Sequence, residues 1–418
     1  MRIVIWHGYL LAGTGSNVFT RELAREWSGA GHDVTVLSQE PHPQRFDLGG
    51  AAFARPDVGG LLPTFVIDDY PGYRVAKVQD LSRAELDGWV AANAAAVREL
   101  GAADVLVVNH VLLGGAVGAG SGLPYTVIVH GSELEYSMRG NAGLSKWGAQ
   151  VCATAEAVVV GSPHVHGALT EVCGTVARVH QVPPGVDVDE WRPQPRAQAL
   201  AGLLEQARLD PPNPGNANER LPDEGNAARL AAFLEGDRDT VVYFGKLITN
   251  KGVQVLIDAL RELDARAVIV GFGPDRAEFE RRAEGLPVLF TGPFEHRHLV
   301  HLLALGDAAV VPSIFPEAFG MVAAEAAAAG CPPVVALHSG LAEVARGLEQ
   351  DYPAALGHLA WFESGDPASL AARLAELLSL PAAQREAVRG AARSAAVTRW
   401  SWTSVAERIL AAATSRVL

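Results

Sequence analysis

The run from Ala308 to Ala336 constrains the fold more than any other part of this sequence. Ala308-Ala-Val-Val311 is a short apolar strand closed by Pro312, and Met321 to Ala329 consists almost entirely of strong helix formers. Gly330 and Pro332-Pro333 end that helix, and Val334-Val-Ala336 resumes a buried strand. Strand, loop, helix and strand make a βαβ unit, which predicts a parallel sheet. At its mouth Phe319-Gly320-Met321-Val322 offers bare backbone N–H groups and the positive end of the helix dipole, a good seat for a phosphate. Glu317 precedes the helix, and Glu325 lies about 7–8 Å beyond Gly320 at ~1.5 Å per residue. That spacing suits the two hydroxyl-bearing ends of a sugar diphosphonucleoside. It suits equally a dipole-favouring charge followed by a solvated face residue.

The same alternation runs through the rest of the chain. Arg2-Ile-Val-Ile-Trp6, a Gly-bearing loop from Gly8 to Gly15, the amphipathic segment Asn17 to Trp27 and Val34-Thr-Val-Leu37 form a further βαβ unit. Gly13-Thr-Gly15-Ser16 resembles a dinucleotide fingerprint, but its third glycine is missing and no acidic residue ends the next strand, which disfavours NAD. What survives is a glycine loop whose amides face an anion. Val105 to Val108 is a strand ending in Asn109-His110, and Tyr125 to Val129 is one ending in His130-Gly131. Open α/β sheets bind ligands at such strand ends, although a histidine there also serves as hydrogen-bonded scaffolding.

Residues 41–83, rich in Gly and Pro, predict irregular loops with an added strand or hairpin. The first domain is expected to span 1–190. Residues 191–239, with Pro211-Pro-Asn-Pro-Gly in their middle, read as a mobile linker with an insertion that cannot bury a core. A second domain, 240–399, opens with Thr240-Val-Val-Tyr-Phe-Gly-Lys246-Leu-Ile-Thr-Asn-Lys251. These are the only lysines after Lys146, and both fall in one loop, as a diphosphate clamp or as solvated loop charges.

At 418 residues the chain accommodates two domains, and its net charge of -13 disfavours nucleic acid and an anionic membrane surface as main partners. Its scattered cysteines, Cys152, Cys173 and Cys331, and the lack of a leader or a spanning apolar run predict a soluble cytoplasmic protein without stable membrane insertion. Asp187 and Asp189 read as a turn. His296, His298 and His301 have no carboxylate or thiol in the pattern to complete a site, so no metal is expected.

Taken together, Val129-His-Gly-Ser-Glu133, Val182-Pro-Pro-Gly-Val-Asp187, Phe244-Gly-Lys-Leu-Ile-Thr-Asn-Lys-Gly252 and Glu317-Ala-Phe-Gly-Met-Val-Ala-Ala-Glu325 resemble the retaining GT-B glycosyltransferases of family 4, over nearly the whole chain. The resemblance implies two Rossmann-like α/β domains facing a central cleft, with a C-terminal helix, residues 400–418, crossing back to the first domain. It implies transfer of a hexosyl group, with retention, from a nucleotide diphosphate sugar (UDP or GDP) to an acceptor hydroxyl, with no metal or other cofactor. His130 is then placed beside the donor sugar, Lys246 and Lys251 on the diphosphate, Glu317 on sugar hydroxyls and Glu325 on the ribose. Gly15, Ser16, Phe319, Gly320, Met321 and Val322 complete the donor side, and Asn109, His110 and Tyr136 the acceptor side. A soluble small acceptor is favoured over a lipid. Lys246 stands where the family commonly has Arg, replacing a bidentate fork by a point charge. Two other classes stay open: a non-catalytic nucleotide-sugar-binding subunit, and a GT-B-like epimerase or phosphorylase.

Overall fold

The computed structural model describes residues 1–11, 15–65, 70, 72–210 and 225–415. The chain divides into two compact units, one of Met1–Gly185 with Trp402–Leu418, the other of Val186–Ser401.

In the first unit the strands are β1 (Arg2–Trp6), β2 (Asp33–Leu37), β3 (Ala52–Ala54), β4 (Leu61–Thr64), β5 (Arg74–Lys77), β6 (Val105–Asn109), β7 (Tyr125–Val129), β8 (Ala157–Val160) and β9 (Val179–Gln181). Seven of them form one sheet in the order β3-β2-β1-β6-β7-β8-β9, parallel throughout. The runs of Val and Ile that looked like continuous apolar strands are buried on both faces, as parallel sheets require. Successive side chains serve opposite layers: Val4, Trp6, Leu106 and Val108 join one core, Ile3, Ile5, Val105 and Val107 the other.

The second layer explains why the chain returns. The face bearing Ile3 and Ile5 is covered by the helix Gly15–Gly29, through Phe19, Leu23 and Trp27, and by the helix Trp402–Thr414, through Trp402, Val405 and Ile409. Trp27 Nε1 donates to Ala406 O at 3.1 Å, and Trp402 meets Phe19 edge-on at 5.3 Å. The return begins at Trp402; Trp400 is still in the core of the second unit.

Over 41–83, β3 joins the edge of the main sheet, while β4 and β5 pair with each other in parallel, so the hairpin that the Gly/Pro pattern left open does not form.

The second unit has β10 (Thr240–Phe244), β11 (Arg266–Val270), β12 (Val288–Thr291), β13 (Ala308–Val311), β14 (Pro333–Ala336) and β15 (Trp361–Phe362), parallel in the order β12-β11-β10-β13-β14-β15. The described parts of 191–239 correct the expectation of a mobile linker. Ala199, Leu203 and Ala207 of the helix Arg196–Arg208, and Leu230 of the helix Asn226–Phe233, are fully buried in this unit's core. Asp210, closing the first helix, bonds His298 Nε2 at 2.8 Å and Arg297 at 2.5 Å. Arg266 closes the second, donating to the carbonyls of Phe233, Leu234, Glu235 and Gly236. Three-to-four spacing of Ala and Leu outweighs the prolines around it. The Pro211–Glu219 stretch lies outside the described residues.

Each sheet reverses its strand order once, between β1 and β6 and between β10 and β13. Loops leaving the carboxyl ends of strands at such a switch point diverge and open a crevice. Most of the expected site residues fall in or beside these loops.

Candidate active site

In the second unit, the loop after β10 carries Lys246 and Lys251, and the loop after β13 carries Glu317 and Gly320. Backbone and side-chain bonds tie the two loops together: Ile314 N–H donates to Asn250 O at 3.0 Å and Ser313 Oγ to the same oxygen at 3.2 Å. Gly252 is held in the left-handed region, φ 71°, and a Cβ there would lie 1.8 Å from Pro312 O, so only glycine permits the approach. The loop after β10 is also fastened to the loop after β11, through Thr249 N–H and Oγ on Asp275 at 2.6 and 2.8 Å.

Glu317 is aimed by residues that sequence reasoning passed over. Its N–H donates to Ser339 Oγ at 2.9 Å, whose hydroxyl donates to His338 Nδ1 at 3.0 Å, and His338 Nε2–H donates to Ser313 O at 2.6 Å. Gly340 N–H closes the ring on Glu317 O at 2.8 Å, and a Cβ on Gly340 would meet Ala318 O at 2.2 Å. The signal available in the sequence was the His-Ser-Gly cluster immediately after β14, at a strand's carboxyl end. The outcome is that Lys251 Nζ is hydrogen-bonded to Glu317 Oε1.

Lys246 is exposed, and its ammonium has no partner among the described residues; Tyr243 O–H donates to its carbonyl at 3.0 Å. Gly320, φ 128°, precedes the helix Met321–Ala328, whose first bond runs from Ala323 N–H to Gly320 O at 3.0 Å. The N–H groups of Met321 and Val322 therefore begin the helix without an intrahelical acceptor. Phe319, read from the sequence for its backbone N–H, has its ring buried and edge-on to Trp400 at 6.2 Å. One helical turn on, Glu325 is half-buried with no hydrogen-bond partner among the described residues. Burial pushes its carboxyl up to about 7, opposed by His296 and reinforced by Glu190.

In the first unit, three histidines from three strand ends meet. His7 follows β1, His110 follows β6 and His130 follows β7. The rings of His110 and His130 are 4.8 Å apart, and Tyr9 and Phe65 pack on His110 at 5.6 and 4.9 Å. Glu133, fully buried, accepts from His110 Nδ1 at 3.1 Å and from Val111 N–H at 3.2 Å. Burial alone pushes its carboxyl up, but the charge and hydrogen bond of His110, with His130 behind, hold it at about 2. Burial likewise drives His7 down to about 3 and His130 well below the usual imidazole range. His110 adopts φ 71°, uncommon for a residue with a Cβ, and opens a π-helical turn, His110–Gly114.

Of the residues expected on the acceptor side, Asn109 is 1% exposed and His110 3%; Asn109 addresses Trp6, Thr20 and His130, and His110 Nδ1 faces Glu133 while its Nε2 is buried with no hydrogen-bond partner among the described residues. A β-strand ends on alternating faces, and sequence position alone does not say which end residue emerges. Tyr136 is 61% exposed on a second π-helical turn, Leu134–Met138. Gly15 opens the helix Gly15–Gly29, and a Cβ there would touch nothing among the described residues. Ser16 O accepts from Thr20 Oγ at 2.9 Å. Gly13 and Thr14 lie outside the described residues. Glu133, His7 and Tyr9 were not singled out, although Glu133 belongs to the motif that carries His130.

The histidines of the second unit separate onto different partners, His298 on Asp210 at 2.8 Å and His301 on Gln194 at 2.8 Å, and no group of three metal-binding side chains occurs among the described residues. Asp187 Oδ1 accepts from the N–H groups of Asp189 and Glu190, forming the turn read from the sequence.

Two solved structures share this architecture: HepE of Anabaena in complex with UDP, at TM-score 0.69 and 16% identity over 100% of both chains, and a glycosyltransferase of Rickettsia africae, at TM-score 0.68 and 15% identity over 98% of this chain and 97% of that one. Paired parallel sheets with an exchanged C-terminal helix place the protein in the GT-B class of glycosyltransferases, enzymes that use a nucleotide sugar and an acceptor. The family model described as Glycosyltransferase Family 4 matches residues 13–190, and that described as Glycosyl transferases group 1 matches residues 228–395. The chain belongs to glycosyltransferase family 4. It is 29% identical to D-inositol 3-phosphate glycosyltransferase of Xylanimonas cellulosilytica over 79% of this chain and 77% of that protein. To a GDP-mannose-dependent alpha-(1-6)-phosphatidylinositol dimannoside mannosyltransferase of Mycobacterium tuberculosis it is 46% identical over 25% of the chain, a match spanning only 29% of that relative's length. No helix among the described residues is long and apolar enough to cross a membrane.

Proposed function

We propose that the protein transfers a hexosyl group from UDP- or GDP-sugar to the hydroxyl of a soluble acceptor, with retention of anomeric configuration and without a metal. The observation that carries this reading is the convergence of Lys251, Glu317 and the start of the helix Met321–Ala328 at one switch point, on loops locked to each other by Gly252 and Gly340. Lys246, Lys251 and the N–H groups of Met321 and Val322 neutralise the departing diphosphate, the charge that a divalent cation would otherwise balance. Glu317 accepts from sugar hydroxyls and Glu325 from the ribose diol. The bond from the anomeric carbon to the phosphate oxygen breaks on the face where the bond to the acceptor oxygen forms. The acceptor's proton passes to the departing phosphate oxygen, so no enzyme carboxylate acts as nucleophile.

The donor base and the kind of acceptor draw support from relatives: one is described as GDP-mannose-dependent, others as acting on D-inositol 3-phosphate, and the HepE structure holds UDP. The test is a coupled assay of donor sugars against polyol and polyol-phosphate acceptors, with the product's anomeric proton coupling read by NMR. Transfer with an inverted product, or transfer abolished by EDTA and restored by magnesium, would contradict the reading.

A further inference from the structure

Two of the three cysteines share one spot in the first unit. Cys152 lies in the last turn of the helix Ala142–Thr154, Cys173 closes the helix Pro163–Cys173, and the two helices pack on each other. Both side chains belong to one core, Cys152 buried within it and Cys173 half-buried at its margin. Gly148 sets the geometry. A Cβ there would lie 3.2 Å from Cys173 Sγ, so the sulfur of one helix rests on the glycine of the other. Cys152 stands four residues on from Gly148, on the same face of the helix, and a helical side chain leans back toward the N-terminus. Its sulfur is thereby tilted toward the place that Cys173 Sγ occupies, and the two thiols are hydrogen-bonded to each other. Cys331 is buried in the core of the second unit.

The two sulfurs are not alike. The bond from Cys152 draws the Cys173 thiol below its ordinary range, with burial opposing, while that bond and burial together push the Cys152 thiol up. The thiolate is the nucleophile, so the more accessible Cys173 reacts first, and Cys152, 3% exposed, is reached only from within. We infer that Cys173 and Cys152 form a redox-active dithiol that takes a low-molecular-weight disulfide as its oxidant, Cys173 attacking and Cys152 resolving, and that closes to a disulfide tying the two helices together. The Cys173 thiolate bonds to one sulfur of the reagent, whose S–S bond breaks and releases one thiolate. That thiolate takes the proton of Cys152. Cys152 then attacks Cys173 Sγ, the mixed disulfide breaks, and the second released thiolate takes up the proton that Cys173 gave to solvent. Two protein thiols are oxidised and the reagent is reduced to two thiols. A bond of about 2.05 Å draws the helices together over Gly148, against which Val111 of the π-helical turn His110–Gly114 also packs.

The test keeps the full chain folded during incubation with oxidised glutathione, then quenches it with acid, unfolds it, alkylates it with iodoacetamide and maps its peptides by mass spectrometry. Expected is the Cys152 peptide joined to the Cys173 peptide, two hydrogen atoms lighter than their sum and separated by dithiothreitol, with Cys331 alkylated. Cys152→Ser is expected to stop at a glutathione adduct on Cys173, and Cys173→Ser to take up none on Cys152. The oxidised wild type is expected to melt a few degrees above its reduced form, a gap absent in Cys152→Ser. Wild type with both thiols free, with a lasting adduct and no cross-link, or with a link to Cys331 overturns the inference. An adduct on Cys152 in Cys173→Ser overturns the assigned order of attack, and an oxidised form melting no higher than the reduced one overturns the tie between the helices. Should either variant fail to fold, the wild-type peptide map and its melting gap decide.

Discussion

Lys251 and Glu317 hold each other, ammonium to carboxylate, across two loops of the second unit. The cation assigned to the diphosphate and the carboxylate assigned to the sugar are thus paired before a donor arrives. Their side chains are 34% and 25% exposed, and a pair so placed contributes about 1 kcal/mol or less. A diphosphate can therefore take over the lysine readily. Lys251→Ala is expected to lower kcat/KM by roughly 10²–10³ while Tm moves by no more than about 2 °C. Glu317→Gln is expected to separate the two roles: it frees Lys251, so the bare nucleoside diphosphate binds at least as tightly by calorimetry, while turnover of the nucleotide sugar falls. Equal loss of both bindings in Glu317→Gln would refute the division of labour.

Glu325 predicts a pH dependence of donor binding. Its carboxyl is raised to about 7, and hydrogen bonds from a ribose diol favour the ionised form. Nucleoside diphosphate affinity is expected to rise between pH 6 and 8 and to lose that slope in Glu325→Gln. Stability runs the other way. Between the unfolded value of about 4.5 and the folded value, the unfolded chain binds fewer protons, so unfolding free energy falls with rising pH and levels off above about 7. Denaturant titrations of wild type and Glu325→Gln across this window check it, with a relative gain for the variant of roughly 1–2 kcal/mol expected at pH 8.

Glu133 predicts the opposite slope in the first unit. Its folded value, about 2, is depressed, so its contribution is present above about 4.5 and is lost as pH falls from there to 2. Removing the carboxylate leaves the buried His110 Nδ1 and Val111 N–H without their acceptor, so Glu133→Ala is expected to lose about 1–3 kcal/mol at neutral pH in urea unfolding. The gap to wild type narrows below about pH 4.

Gly252→Ala is expected to weaken donor binding without touching a ligand. The backbone there is left-handed, costing an L side chain about 1–2 kcal/mol, and the added methyl meets Pro312 O. Relief of the clash separates the Lys251 loop from the Glu317 loop. A lower Tm together with a raised donor KM is the predicted signature; a lower Tm with unchanged KM would mean that the loops need not be joined.

The parallel sheets were legible because βαβ alternation repeats in short Val- and Ile-rich runs, and the Ala308–Ala336 unit folded as its punctuation suggested. Glu317 and Lys251 were legible as loop residues at strand ends. Their contact was not, because it depends on loops from β10, β13 and β14, distant in sequence, closing on one another through Gly252, Ser339 and Gly340. Asn109 and His110 mark the other limit. Their position after β6 predicted proximity to a site, but only the packing against Trp6, Thr20 and Glu133 turns them inward. The 191–239 stretch misled through its prolines, since the Ala/Leu spacing of Arg196–Arg208 and the guanidinium of Arg266 bind its described parts to the core.

The most direct measurement is nucleotide binding by thermal shift, comparing UDP, GDP and ADP, each with its common sugar conjugates, against NAD, on wild type and Lys251→Ala. At a hundred times its dissociation constant a ligand adds about 2.7 kcal/mol, a shift of a few degrees. The account predicts that one nucleoside diphosphate and its sugar conjugate stabilise the wild type, and that the shift shrinks or vanishes in Lys251→Ala. Stabilisation by NAD alone, or an equal shift in both proteins, would contradict it.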